Sequence, residues 1–187
     1  MQISRLDIAD VLLVTPTKHA DPRGFFSETF RADAFAAQAT GVQFVQDNHV
    51  RSTQKGVLRG LHYQTPPHPQ GKLVRCVRGS ILDVAVDIRR GSPSFGRHVA
   101  VELSADNWQQ LWVPAGFAHG YVTLEDDCEV IYKVTDYYAP QCDRGIAWND
   151  PALAIDWRFP AADLVLSDKD RKQPSLADSA PAFQFAG

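Results

Sequence analysis

Residues 81–88 read ILDVAVDI. Successive side chains of a strand point to opposite faces, so Leu82, Val84, Val86 and Ile88 share one side and Asp83, Ala85 and Asp87 the other. A period of two held over eight residues and rich in β-branched side chains marks a strand, because an amphipathic helix repeats every 3.6 residues. RHVAVEL (97–103) and CEVIYKV (128–134) alternate in the same way. Between such runs stand turn formers: DPRG at 21–24, QKG at 54–56, RGS at 78–80, RRGSPSFG at 89–96, PAG at 114–116 and EDD at 125–127. Only RADAFAAQ (31–38) has a helical pattern, with a short turn over SADNW (104–108). Short strands punctuated about every ten residues predict an all-β protein, a jelly-roll barrel or sandwich with a few short helices.

The chain has 187 residues, 44% hydrophobic and 22% charged, which suits a single domain over 1–187. Its tail from Pro174, rich in Ala, Ser and Pro, reads as an arm on the surface or a partly loose end. A net charge of −3 argues against nucleic acid as the partner. No apolar run approaches 18 residues, which excludes a spanning helix. The opening MQISRLDIAD carries charges where a signal peptide needs an apolar core, so a cytoplasmic location is expected. Cys76, Cys128 and Cys142 form no CxxC and read as small buried thiols of a reducing compartment. Thirteen arginines against six lysines favour phosphate oxygens, which the guanidinium fork matches.

Phosphate loops, dinucleotide fingerprints and nucleophile elbows are missing, so cofactor-dependent hydride or phosphoryl chemistry has no support. His62 is followed by Tyr63 and Gln64 rather than a second histidine, and His119 in GFAHGY has no carboxylate at ligand spacing; no metal is expected. Acid–base chemistry remains. In LRGLHYQ (58–64), Leu58, Gly60, His62 and Gln64 alternate to one face and Arg59, Leu61 and Tyr63 to the other. His62 points inward on this pattern, as a base or as an ordinary hydrogen-bonded core histidine. Tyr132 shares a face with Val130 and Val134, which suits a core tyrosine equally well. Lys72 shares one with Val74 and Cys76, an uncommon setting for an ammonium. Asp83 and Asp87 lie either on a solvated surface or, for Asp83, behind an inward histidine that it orients. SDKD (167–170) is compatible with simple turn chemistry.

Taken together, DPRGFFSETF, FVQDNH, GVLRGLHYQ, QGKLVRCVRGSILDVAVDIRRGSPSFG, QLWVPAGFAHGYVTL, YKVTDYY and LSDKD resemble, in order and spacing, the dTDP-4-dehydrorhamnose 3,5-epimerase family. The resemblance spans about residues 3–172, leaving 173–187 as a C-terminal arm. It implies a metal-free, cupin-like jelly roll that works as a homodimer on a dTDP-linked 4-keto-6-deoxy sugar, with no cofactor. It also implies roles by position: His62 as general base, Asp170 as its orienting carboxylate, Tyr132 as general acid and Lys72 beside the substrate carbonyl. Arg23, Glu28, Gln46, Asn48, Arg59, His119 and Lys169 fall on binding positions; Asp143 does so in a less well matched setting, and Phe25 and Tyr138 suit stacking on thymine. Tyr63 stands where phenylalanine is common. Three rivals share parts of this pattern: a related epimerase inverting only C3 or only C5, a metal-dependent cupin enzyme, and a non-catalytic sugar-nucleotide-binding module. One geometric puzzle remains, because strict alternation separates Arg59 from His62 although both are expected on one ligand. Either Gly60 permits a bulge, or Arg59 crosses to the site of the neighbouring subunit; the crossing is the expectation.

Overall fold

A computed structural model describes residues 1–39 and 41–185. In chain order the strands are β1 (Gln2–Arg5), β2 (Leu12–Thr15), β3 (His19–Asp21), β4 (Gly24–Phe26), β5 (Gln46–Ser52), β6 (Leu58–Gln64), β7 (Lys72–Arg78), β8 (Ser80–Asp87), β9 (Arg89–Arg90), β10 (His98–Ser104), β11 (Gln110–Val113), β12 (Phe117–Thr123), β13 (Cys128–Val134), β14 (Asp143–Gly145) and β15 (Phe183–Gln184). Two short helices, α1 (Ala32–Ala36) and α2 (Asp168–Arg171), complete the regular structure together with two single 3₁₀ turns. A six-stranded sheet in the order β1-β2-β11-β7-β13-β5 faces a five-stranded sheet in the order β10-β8-β12-β6-β14, all neighbours antiparallel. This is the all-β, cupin-like jelly roll. The strands expected at 81–88, 97–103 and 128–134 appear as β8, β10 and β13, and the helix expected at 31–38 as α1. No described helix is long and apolar enough to cross a membrane.

Alternation sorts the apolar residues into layers. Between the sheets lie Val74, Cys76, Ala85, Leu103, Leu111, Phe117 and Val130. Outside the six-stranded sheet, Leu12, Leu73 and Trp112 receive Phe35 of α1. Outside the five-stranded sheet, Leu58, Leu61, Tyr63, Leu82, Val84, Val86 and Val122 are covered by Ile146, Leu153, Trp157, Leu164 and Leu176 of the C-terminal third. The five-stranded sheet is therefore the middle of three layers, and all eight residues of β8 are buried. A solvated surface for Asp83 and Asp87 is thereby ruled out: both face the barrel interior and are 0% exposed. Asp87 is compensated by Arg89, Ser92 and Ser94, which donate to its carboxylate. Residues 175–185 lie along the surface, where Phe183–Gln184 runs parallel to β9 and the Phe183 ring lies 6.4 Å from that of Tyr63.

Candidate active site

Strand β6 supplies the centre of the site, and its pattern breaks in the middle. Arg59 pairs with Tyr121 and His62 with His119, so three steps along β6 answer two along β12: a bulge at Gly60–Leu61 opposite Gly120. Only glycine fits there. Gly60 has φ +141°, and a Cβ on it would come 2.5 Å from the Gly120 Cα. The extra residue shifts the phase by one, so Leu58, Leu61 and Tyr63 pack in the outer layer while Arg59 and His62 line one cavity. The expected crossing of Arg59 to another subunit is thus corrected by the strand itself, which aims Arg59 into the site of its own chain. There Arg59 Nε donates to Ser52 Oγ at 3.3 Å.

Two cavities meet at the open end of the barrel. The first, of about 620 Å³, is lined by Arg59, His62, Lys72, His119, Tyr132 and Asp170 among others. The second, of about 340 Å³, is lined by Gln46, Asn48, Gln64, Gln70, Tyr138 and Asp143. His62, Lys72, Tyr132 and Lys169 border both. His62 comes from the five-stranded sheet, whereas Lys72 and Tyr132 come from the six-stranded sheet, on the adjacent strands β7 and β13. A ligand at the junction therefore has the imidazole on one side and the phenol on the other.

Neighbouring groups and burial set the state of several polar side chains there. His62 Nε2 lies 2.5 Å from Asp170 Oδ1, and since the carboxylate is the acceptor, Nε2 is the donor of this contact and Nδ1 is the ring nitrogen left outside it. Asp170 is brought 108 residues along the chain to this contact by α2, whose first turn is capped by Ser167 Oγ accepting from the Asp170 amide. Burial alone would lift the Asp170 carboxyl; the His62 ring, then Ser167 and Lys169, hold it below the ordinary range. Burial brings the Lys72 ammonium down to about 8, against the opposing pull of Asp83 and Asp143. Lys72 Nζ donates to the His62 carbonyl at 3.2 Å. Burial raises the Tyr132 phenol, with the positive charge of Arg59 opposing, so the phenol keeps its proton at neutral pH. In the wall of the first cavity His119 Nε2 donates to Asp83 Oδ1 at 2.7 Å, and burial lowers the imidazole, leaving it neutral near pH 7. In the second cavity Tyr138 Oη and Lys169 Nζ both donate to Asp143 Oδ2, and Gln46 Nε2 donates to Asn48 Oδ1 at 2.9 Å. Among the described residues no three His, Cys, Asp or Glu side chains converge as a metal-ligand set.

Three of the residues picked out by sequence stand apart. Arg23, Phe25 and Glu28 border neither cavity. Arg23 sits on the β3–β4 hairpin with its side chain 89% exposed and paired to Asp21, while the Phe25 ring stands edge-on to Trp108 at 5.0 Å. Conversely, Ser52, Tyr121 and Ser167 line the first cavity without having been picked out. Two of them had a signal. Tyr121 shares the inward face with His119 in FAHGYVT, and Ser167 opens an S-x-x-D capping pattern.

Comparison with known proteins places the chain in a family. The model of the dTDP-4-dehydrorhamnose 3,5-epimerase family matches residues 5–178. A dTDP-4-dehydrorhamnose 3,5-epimerase from Pseudomonas aeruginosa is 54% identical over 181 residues, covering 96% of this chain and 98% of that protein. Another, from Sinorhizobium fredii, is 51% identical over 185 residues, covering 99% and 94%. Among solved structures, a dTDP-6-deoxy-D-glucose-3,5-epimerase from Legionella pneumophila in complex with dTDP-4-keto-L-rhamnose superposes with a TM-score of 0.95 at 42% identity, covering 100% of this chain and 99% of that one. With its fold, the polar side chains that its two sheets bring to one site and this match along nearly its whole length, the chain belongs to the dTDP-4-dehydrorhamnose 3,5-epimerase family.

Proposed function

We propose that the protein inverts C3 and C5 of dTDP-4-dehydro-6-deoxy-D-glucose to give dTDP-4-dehydro-L-rhamnose, in dTDP-L-rhamnose biosynthesis, using only its own side chains. The observation that carries the reading is the placement of the His62–Asp170 pair and Tyr132 on opposing sheets, with Lys72 beside the tyrosine. Both C3 and C5 lie next to the C4 carbonyl, so loss of either proton gives an enolate with its charge on the C4 oxygen. His62 Nδ1 takes the proton from one face, and the resulting imidazolium is stabilised by Asp170. Lys72 supplies positive charge to the oxyanion. Tyr132 returns a proton to the opposite face of the same carbon, and the centre is inverted. Once His62 has released its proton to solvent and Tyr132 has regained one, a second enolisation on the other side of the carbonyl repeats the sequence.

Arg59 and His119 in the first cavity, and Gln46, Asn48, Tyr138, Asp143 and Lys169 toward the second, hold the remainder of the dTDP-sugar. Binding remote from the reacting carbons fixes a ring that offers few handles of its own. The protein works as a homodimer, and a second copy completes the site with Arg23, Phe25 and Glu28. Support for this comes from the exposed hairpin, whose Phe25 and Phe26 are 52% and 71% exposed and whose residues are out of reach of their own cavity. Incubation with dTDP-4-keto-6-deoxyglucose in D₂O tests the reaction: deuterium is expected at both C3 and C5. Deuterium at one carbon alone would make the protein a single-centre epimerase, and none at either would remove the reading.

A further inference from the structure

LRGLHYQ ends on Gln64, which has no part in the chemistry above although it lies two residues beyond His62 on the same inward face. Its amide is buried and fully used. Nε2 donates to the backbone carbonyls of His68 at 2.7 Å and Tyr137 at 3.2 Å, and Oε1 accepts from the backbone N–H of Ala139 at 2.8 Å. A primary amide has two donor hydrogens and one acceptor oxygen, and here each meets a main-chain group. The three partners belong to two separate segments, the 65–71 loop and residues 136–139. Those segments are joined again by His68 Nδ1 to Asp136 Oδ2 at 3.2 Å and by Gln70 Nε2 donating to the Asp136 carbonyl at 2.7 Å. The 340 Å³ cavity is framed by them.

Tyr138 sits between Tyr137 and Ala139, so Gln64 holds the backbone on both sides of it. Tyr138 itself makes two further contacts: its own N–H donates to Gln46 Oε1 at 3.3 Å and its hydroxyl to Asp143 Oδ2 at 3.2 Å. The residue is 59% exposed and gains little from packing. We propose that Gln64 is a positioning residue for the nucleotide half of the ligand: its amide fixes the main chain that carries Tyr138, so affinity for dTDP depends on it while proton transfer at His62 does not. The inference deepens the proposed function and rests on it.

Gln64→Glu keeps the shape of the side chain but replaces the donor nitrogen with an oxygen facing two carbonyls. Calorimetric titration with dTDP, alongside steady-state kinetics on the 4-keto sugar nucleotide, reads the effect. The Kd for dTDP and the KM are both expected to rise about tenfold, with kcat within about twofold of wild type. In a Tyr138→Ala background the same substitution is expected to add little further loss of dTDP affinity, because both changes remove one contact. Unchanged dTDP affinity, a fully additive loss with Tyr138→Ala, or a fall in kcat at unchanged KM would overturn the assignment. Should Gln64→Glu not fold, Gln64→Asn, which keeps the amide but withdraws it by one methylene, is judged by the same three criteria. A wild-type protein that fails to bind dTDP would remove the proposed function itself, and with it this inference.

Discussion

Lys72 puts a proton-loss step inside an ordinary assay range. Burial lowers its ammonium to about 8, so it is a cation below that pH and neutral above it. An oxyanion is stabilised only by the cation, and kcat/KM is expected to fall as pH rises through about 8 in a pH–rate profile of the free enzyme. Lys72→Met should lower kcat by about 10²- to 10³-fold and abolish that limb. His62→Asn should eliminate turnover and leave dTDP affinity nearly intact in a direct titration; lost affinity with normal turnover would remove the base assignment. Tyr132→Phe should slow inversion more than it slows exchange of substrate protons into D₂O, since exchange needs only the base. Equal losses would deny it the reprotonating role. The inward direction of Lys72 and Tyr132 was legible from alternation with Val74, Cys76, Val130 and Val134, because all four strand neighbours are core residues. The contact of His62 with Asp170 was not, since nothing local links two residues 108 positions apart. It took the family resemblance to suggest that pair, and the folded chain to measure it.

At the scale of the element, β6 and α2 set the reaction geometry. Gly60→Ala would place a methyl 2.5 Å from the Gly120 Cα on a backbone at φ +141°. A loss of about 2–4 kcal/mol in urea unfolding is expected, together with a fall in kcat/KM as Arg59 and His62 lose their common direction. Stability and activity both near wild type would show that the bulge does not need glycine. The strands themselves were readable: β8, β10 and β13 follow from period-two patterns that hold wherever one sheet face differs from the other. Two things were not. A bulge leaves no trace in the apolar pattern beyond a glycine, so counting by twos misplaced Arg59. The burial of Asp83 and Asp87 was hidden because an aspartate on a strand ordinarily signals solvent, and only a third layer over the sheet makes both faces interior.

For the whole molecule, the division of site residues between the cavities and the exposed hairpin predicts complementation. His62→Asn and Arg23→Ala chains, each inactive alone, should recover about a quarter of wild-type activity after mixing and re-equilibration. Half of the dimers are then mixed, and each mixed dimer holds one intact site. No recovery from proteins shown by light scattering to exchange subunits would exclude sharing of the site between copies. The C-terminal third has a different role: Ile146, Leu153, Trp157 and Leu164 cover one sheet, and the same stretch of chain delivers Asp170 to His62. The bulge in β6 also constrains how this barrel can change through time. Phase along a strand has only two values, inward and outward, and Gly60 flips it once between the two functional side chains. Loss or gain of one codon anywhere from 59 to 62 would flip it again and eject either the arginine or the histidine, however mild the residues involved. Such a segment can drift by substitution but is closed to length variation, so the distance from Arg59 to His62 should be the most rigid spacing in the chain.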